Sequence, residues 1–262
     1  LNSSDIADWD GLNYMDTIGK FMLPYAQYLQ NTGDTGFFDA DLRAFLARAA
    51  RNIHDCRVFG DPEHEGLMRK GEDFENWSDD GDYLLCDNWA YRYICTRLGL
   101  TDEAAWAEAE IDALNDALNA ALDRTRDRRG IDHYLGAFDD LTYLRYTRGS
   151  FYSWVAYAGA LSTFPWGAML KGYDRGGTWK EKFDASIAHV LHERDRRVIP
   201  DGSWGAWWSH VTYGSTYNAA AGLQCLASDV YRTESLKNVE FLYDNQCAPF
   251  QWSEAFEYKG RD

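Results

Sequence analysis

Carboxylates and aromatic rings are interleaved in residues 71–89, GEDFENWSDDGDYLLCDNW. Glu75 and Asp79 lie close in sequence to Phe74 and Trp77, whose rings would exclude water from a neighbouring carboxyl group and raise its pKa. A carboxylic acid that stays protonated near neutral pH can act as a general acid. The segment therefore predicts an acid–base site, with Glu75 as the first candidate for the proton donor and Asp79 as the second.

The same acids have a structural interpretation. A helix is predicted to begin near Tyr83, and carboxylates just before a helix cap its free N–H groups. We expect this role for at least Asp82. Asp80 is kept as a third candidate for the proton donor and as a substrate-binding residue.

A second acidic and aromatic cluster lies in residues 250–257, FQWSEAFE. Glu254 is the candidate base and Glu257 the alternative, although an acid here could also be a solvated group in a linker. If the fold brings the two clusters together, they form a carboxylate pair in an aromatic cleft. Two carboxyl groups on opposite sides of a glycosidic bond are what its hydrolysis requires.

Aromatic residues make up 16% of the chain, with 11 Trp and 17 Tyr. Tyr and Trp combine a flat apolar face with a polar edge, which suits stacking on sugar rings, but a helical core rich in rings is an equal alternative. The candidate substrate-binding residues are Trp77, Asp80, Asp139, Trp207, Trp208, Tyr213 and Trp252.

The 262 residues are enough for one domain with a large core, and we predict a single domain over residues 1–262. The formal net charge is −16, which repels phosphate backbones and anionic lipids, so neither nucleic acid nor a membrane is an expected partner. No run of about 18 apolar residues is present. The chain starts at Leu1, and we expect it to be truncated at one or both ends.

The five cysteines are scattered and odd in number, which favours reduced thiols and mildly favours a cytoplasmic location. No Cys/His spacing suits zinc. His189 and His192 are three residues apart but have no third ligand, so ordinary histidines are preferred to a metal pair. With no phosphate-binding glycine loop either, the sequence predicts no metal and no cofactor.

Apolar residues recur at helical spacing through most of the chain, and no alternating strand pattern competes with them. The first helices are predicted around residues 21–32, 39–57, 83–98 and just after Thr101, which is expected to cap the fourth helix, with turns at Gly33 and Gly99. The second helix is expected to bury a stripe of Leu42, Phe45, Leu46, Ala49, Ile53 and Cys56, and the fourth a stripe of Ile111, Leu114, Leu118 and Leu122. In total, the sequence predicts about eight helices in four hairpins. Long loops come after alternate helices, so they would emerge on one face if the hairpins pack around an axis. The fold class is therefore all-α.

The turn Tyr28–Asp34, YLQNTGD, resembles the Y-L-x-x-T-G-D turn common among the six-hairpin, (α/α)6-barrel glycoside hydrolases, which include glucoamylase, trehalase and rhamnosidase relatives. The resemblance implies an (α/α)6 toroid and an inverting hydrolase. It places the acid in the acidic and aromatic loop, at Asp73-Phe74-Glu75. It places the base in the setting Ser253-Glu254-Ala255-Phe256.

The chain departs from that family in two ways. About four hairpins are counted where a full toroid has six, and Asp-Phe-Glu stands where glucoamylase-like members have Trp-Glu. Two alternatives therefore stay open beside a carbohydrate-cleaving hydrolase. One is a non-catalytic carbohydrate-binding remnant of the same scaffold, and the other is a toroid-type polysaccharide lyase or sugar epimerase.

Overall fold

The computed structural model describes residues 22–67, 81–132, 134, 182, 185, 213–215, 243, 246–249, 251 and 255–257, with the backbone only for 81–86, 213–215 and 255–257. The chain divides into two compact units, Leu1–Ala121 and Leu122–Asp262. The helices and strands are α1 (Leu23–Thr32), α2 (Ala40–Asp55), α3 (Gly81–Arg97), α4 (Thr101–Arg129), β1 (Tyr213–Ser215) and β2 (Ala255–Glu257). The predicted helical class is confirmed for this part of the chain, whereas the two strands were not predicted. The single domain stays a prediction.

Helix α1 begins and ends where the sequence predicts. Pro24 lies in its first turn, where a missing N–H costs nothing because that group has no partner inside the helix. Gly33 ends the helix with a left-handed φ of 67°, and its N–H donates to the carbonyl of Leu29 at 2.9 Å. Only a residue without a side chain adopts this conformation easily, which is why the helix stops here.

Helix α2 is fixed at its start by a cap and along its length by a buried stripe. The Asp39 carboxylate accepts a hydrogen bond from the Leu42 N–H at 2.8 Å. The predicted apolar stripe is buried except for Leu42, which is partly exposed; its buried members are Phe45, Leu46, Ala49, Ile53 and Cys56. The spacing of these residues places one face of α2 in the core of the first unit.

The starts of α3 and α4 both differ slightly from the prediction. Helix α3 begins at Gly81 rather than near Tyr83, so Asp82 lies inside its first turn. Thr101 was expected to cap α4 but is its first helical residue, and the Leu100 carbonyl accepts the bond from Ala104 N at 3.0 Å. The predicted stripe of α4 is buried, namely Ile111, Leu114, Leu118 and Leu122.

In the first unit, α1 and α2 both pack against α3. A fully buried carboxylate strengthens the first of these contacts, because Asp87 of α3 accepts a hydrogen bond from the N–H of Met22, just before α1, at 2.8 Å. Helices α2 and α4 are joined by ion pairs between Arg51 and Glu103 and, just beyond the end of α2, between Arg57 and Glu110. The later residue of one segment pairs with the later residue of the other, so α2 and α4 run in the same direction.

In the second unit, β1 and β2 form an antiparallel ribbon. Tyr213 pairs with Glu257, Gly214 with Phe256 and Ser215 with Ala255. The strands are three residues long, too short for an alternating pattern to be recognised in the sequence. The ribbon joins segments about 40 residues apart in the chain.

Candidate functional site

The ribbon is the place where the structure brings predicted site residues together. Tyr213, a candidate sugar platform, and Glu257, the alternative base, occupy directly paired positions of β1 and β2. Backbones of paired strands lie about 4.8 Å apart, so the two positions are close neighbours. The ribbon also links the tail of the tryptophan-rich segment 198–213 to the end of segment 250–257.

A tight turn leads the chain towards β2. The Cys247 N–H donates to the Gln251 carbonyl at 2.8 Å, and the Gln251 N–H donates back to Ala248 at 2.9 Å. Pro249 lies inside this turn, where its fixed φ favours the reversal. The direction of the chain shortly before β2 is therefore set by backbone hydrogen bonds and not by packing alone.

The other predicted site residues lie outside the described residues. They are the acids Glu75, Asp79, Asp80, Asp139 and Glu254 and the rings Trp77, Trp207, Trp208 and Trp252. What the structure does describe is the pair of segments on either side of residues 68–80, namely the loop 57–67 and helix α3.

The loop 57–67 is anchored at its base by Arg57, whose side chain is 3% exposed. The Nε of Arg57 donates to the Gly66 carbonyl at 2.8 Å, and its Nη1 donates to Glu110 Oε2 at 3.0 Å. Two backbone hydrogen bonds close the loop beside it, from Val58 N to the Leu67 carbonyl and from Gly66 N to the Val58 carbonyl, both at 2.8 Å. The planar guanidinium thus ties one end of the loop to the other end and to α4.

Gly66 is required at this anchor for two reasons. Its φ is +76°, a conformation that side chains rarely allow. A Cβ atom at this position would also lie 3.0 Å from both the Ala117 Cβ and the Arg57 Nη2. A larger residue would therefore push the loop away from α4.

Glu110 also binds His54. The same Oε2 atom that accepts from Arg57 lies 2.9 Å from His54 Nδ1, and the Glu110 side chain is 10% exposed. The His54 ring is 39% exposed and contacts the ring of Phe59, with centroids 5.2 Å apart. Phe59 is itself 54% exposed. His54 therefore connects the buried Arg57–Glu110 ion pair to the exposed ring of Phe59.

A second polar network lies nearby between α2, α3 and α4. Arg51 pairs with Glu103 at 3.0 Å and lies 3.4 Å above the ring of Trp106. Glu103 also accepts a hydrogen bond from the Tyr91 hydroxyl at 2.7 Å. Burial raises the pKa of Tyr91, and burial raises the pKa of the Cys95 thiol to about 11. Both groups therefore stay protonated at neutral pH, and Cys95 is not a nucleophile in this state.

The turn motif on which the family resemblance depends has a structural role. Asp34 Oδ1 accepts bonds from the N–H groups of Gly36 and Phe37, while its Oδ2 accepts from the Tyr28 hydroxyl at 2.9 Å. Thr32 Oγ1 donates to the Tyr28 carbonyl at 2.8 Å. These polar groups close the connection between α1 and α2, so the motif indicates a helix turn and carries no chemistry.

Sequence reasoning missed two buried polar residues of α3. Asp87 and Asn88 are both completely buried. Asp87 holds the start of α1, whereas neither the Oδ1 nor the Nδ2 atom of Asn88 has a hydrogen-bond partner among the described residues. An unpaired buried amide costs roughly 1–3 kcal/mol. The only local signal was an Asp-Asn pair interrupting the apolar face of a predicted helix.

The second unit contains a cluster of charged groups around Tyr134. Lys182 pairs with Asp123 at 2.9 Å and lies 5.3 Å from the centre of the Tyr134 ring. Arg126 donates a hydrogen bond to the Tyr134 hydroxyl and pairs with Asp127 at 2.8 Å. Burial lowers the pKa of Lys182, and Asp123 opposes that change.

Within the described ranges, no group of three or more His, Cys, Asp or Glu residues is placed to hold a metal ion. Across the same residues, no helix has the length and hydropathy needed to span a membrane. At the tip of the loop 57–67, His64 Nδ1 lies 2.7 Å from Asp61 Oδ2. This contact lowers the pKa of Asp61.

No family model, no curated protein and no solved structure matches this chain.

Proposed function

We propose that this protein is a glycoside hydrolase built from helical hairpins of the (α/α)6 type, acting on a neutral or basic sugar chain by acid–base catalysis. The observation that supports it most directly is the register of the ribbon, in which Tyr213 and Glu257 are paired. The sequence makes Tyr213 a candidate sugar platform and Glu257 the alternative to Glu254 as the base. The pairing shows that the two segments meet.

The helices of the first unit give a second, independent support. Helices α2 and α4 run in the same direction, and α1 packs on α3. In a series of hairpins stacked side by side, every second helix is expected to be a parallel neighbour. The toroid is the closed form of such a series, and it is proposed here as the architecture.

The proposed mechanism uses two carboxyl groups. Glu75, or Asp79 in its place, protonates the leaving oxygen, and Glu254, or Glu257 in its place, activates a water on the opposite side of the sugar. Inversion needs roughly 6.5–9.5 Å between the two groups, so that a water fits between carboxylate and sugar. Trp77, Trp207, Trp208, Tyr213 and Trp252 supply the stacking surfaces, and Asp80 and Asp139 bind sugar hydroxyls.

The test is the loss of hydrolysis when a carboxyl group becomes an amide. Glu75→Gln and Glu254→Gln should each lower turnover by about 100- to 10,000-fold on a panel of neutral and amino oligosaccharides, the usual contribution of a general acid or base. Asp79→Asn and Glu257→Gln identify the true pair if the first choices are wrong. Asp116→Asn is the matched control, because Asp116 is exposed on α4.

The outcomes separate the candidate functions. Full activity in all four variants rejects the proposal. Binding of oligosaccharides by the unmodified protein, with no cleavage of any of them, assigns it instead to the non-catalytic carbohydrate-binding class. Products with an unsaturated sugar end, or an epimerised sugar, assign it to the lyases or epimerases.

A further inference from the structure

The ribbon has two faces with different residues. Cross-strand partners in an antiparallel pair lie on the same face, and successive residues alternate between the faces. Tyr213, Ser215, Ala255 and Glu257 therefore occupy one face, which we call the polar ribbon face. Gly214 and Phe256 occupy the other.

The residue types of the polar ribbon face are those that bind a sugar ring. A tyrosine offers a flat apolar surface with a hydroxyl at its edge. A carboxylate accepts two hydrogen bonds, as from adjacent hydroxyls of a pyranose, and a serine hydroxyl both donates and accepts. The alanine adds almost no bulk. The opposite face offers a glycine and a phenylalanine, which have no hydrogen-bonding side chain.

The charge of this face limits which sugar it would accept. Glu257 brings a carboxylate, and the chain as a whole has a formal net charge of −16. A uronic acid would be repelled by both, since like charges at short distance cost free energy. A neutral ring would be bound by hydrogen bonds, and an amino sugar would also gain an ion pair.

We infer that the polar ribbon face, formed by Tyr213, Ser215, Ala255 and Glu257, is a subsite that binds one neutral or amino pyranose unit and rejects a uronic acid. The inference rests on the proposed function in taking a sugar chain as the ligand. It does not require cleavage, and it makes Ser215 and Glu257 residues that determine specificity.

The experiment measures binding and cleavage separately. Cellotetraose, maltotetraose, chitosan tetramer and tetragalacturonate are titrated by calorimetry into the Glu75→Gln protein, in which bound chains would stay intact. Three further substitutions are each added to the Glu75→Gln protein. Tyr213→Ala and Glu257→Gln lie on the polar ribbon face, and Phe256→Leu lies on the opposite face. Circular dichroism and melting temperature verify that each variant is folded.

We expect a neutral or amino probe to bind and tetragalacturonate not to bind. Tyr213→Ala should weaken the affinity at least about tenfold, the cost of losing the stacking surface of one aromatic ring. Glu257→Gln should weaken binding of the amino probe more than that of a neutral one and reduce the discrimination against tetragalacturonate. Phe256→Leu should leave the affinity within about twofold of its background, well under one tenfold step.

The failures are distinguishable from those of the proposed function. Face-dependent binding without any cleavage by the unmodified protein removes the hydrolase but keeps the subsite. Equal losses from Tyr213→Ala and Phe256→Leu overturn the subsite, as does the absence of binding by all four probes. The subsite is also overturned if Glu257→Gln abolishes cleavage and leaves binding unchanged. That result would make Glu257 the catalytic base.

Discussion

Each compact unit buries a basic side chain among its described residues, and the two are neutralised differently. Arg57 in the first unit is 3% exposed and Lys182 in the second is 6% exposed. The carboxylate partner of Arg57 is Glu110, which is itself 10% exposed, whereas the partner of Lys182 is Asp123, which is 45% exposed. One ion pair is enclosed as a whole, and the other is enclosed on one side only.

This difference decides what each pair does for the fold. Charges removed from water together attract each other strongly, but each has lost its hydration. Removing Arg57 would take the buried cation away from Glu110 and leave the partly exposed His54 ring beside that carboxylate. Removing Lys182 would leave Asp123 in contact with water, at little cost. The two cations are about equally buried, but removal of Arg57 is expected to destabilise the fold more than removal of Lys182.

The largest expected effect is the loss of the Arg57 anchor. Arg57→Met should lower the free energy of unfolding by about 3–5 kcal/mol, because Glu110 loses its buried partner and Gly66 loses a donor to its carbonyl. Urea unfolding followed by circular dichroism measures the change. Arg97→Met is the matched control, since Arg97 is exposed at the end of α3, and it should change stability by less than about 0.5 kcal/mol.

The double variant Arg57→Met/Glu110→Leu shows whether the enclosed pair is the cause. It should be less destabilised than the sum of the two single changes, because no charge is left buried without a partner. Additive losses would mean that each side chain acts through packing alone. The comparison of the two units would then lose its electrostatic basis.

The next largest effect is a loss of stability at alkaline pH, which follows from the burial of the Cys95 thiol in the first unit. The pKa of Cys95 rises from its ordinary value of 9.0 to about 11 on burial, so between these values the folded protein holds a proton that the unfolded chain releases. Stability should therefore fall as pH increases from about 9 to about 11, by roughly 2–3 kcal/mol from this thiol, and be unaffected by it below pH 9. Urea unfolding at a series of pH values measures the slope.

Two alanine variants isolate this contribution. Cys95→Ala should flatten the decline above pH 9, although other groups such as Tyr91, whose pKa burial also raises, will keep part of it. Cys247→Ala should leave the decline unchanged, because that cysteine is exposed. Equal slopes in the unmodified protein and Cys95→Ala would mean that water reaches the thiol.

The elements with strong local signals could be predicted from the sequence. Helix α1 is bounded by Pro24 and Gly33, and its limits were found within about two residues. The apolar stripes of α2 and α4 are periodic over many turns, so their buried faces were identified. The prediction for Thr101 is wrong by one position, because Thr101 is the first residue of α4 and not the capping residue before it.

The parts that depend on distant residues could not be predicted. Arg57 and Glu110 are 53 residues apart, and nothing in either local sequence marks them as partners. The ribbon joins three-residue strands, which have no recognisable period. For the site, residue type alone makes Tyr213 and Glu257 candidates, and only the structure shows that they are paired. The acids Glu75 and Glu254 stay predictions.

The smallest expected effect tests the half-open pair of the second unit. Lys182→Met should lower stability by no more than about 1 kcal/mol, because the methionine removes the cost of burying an ammonium, the cost that also lowers the pKa of Lys182. Asp123→Asn should cost more than Lys182→Met, since it leaves the buried ammonium without this carboxylate. Urea unfolding of both variants measures the asymmetry. If Lys182→Met costs as much as Arg57→Met, exposure of the partner carboxylate does not set the strength of a buried pair in this protein.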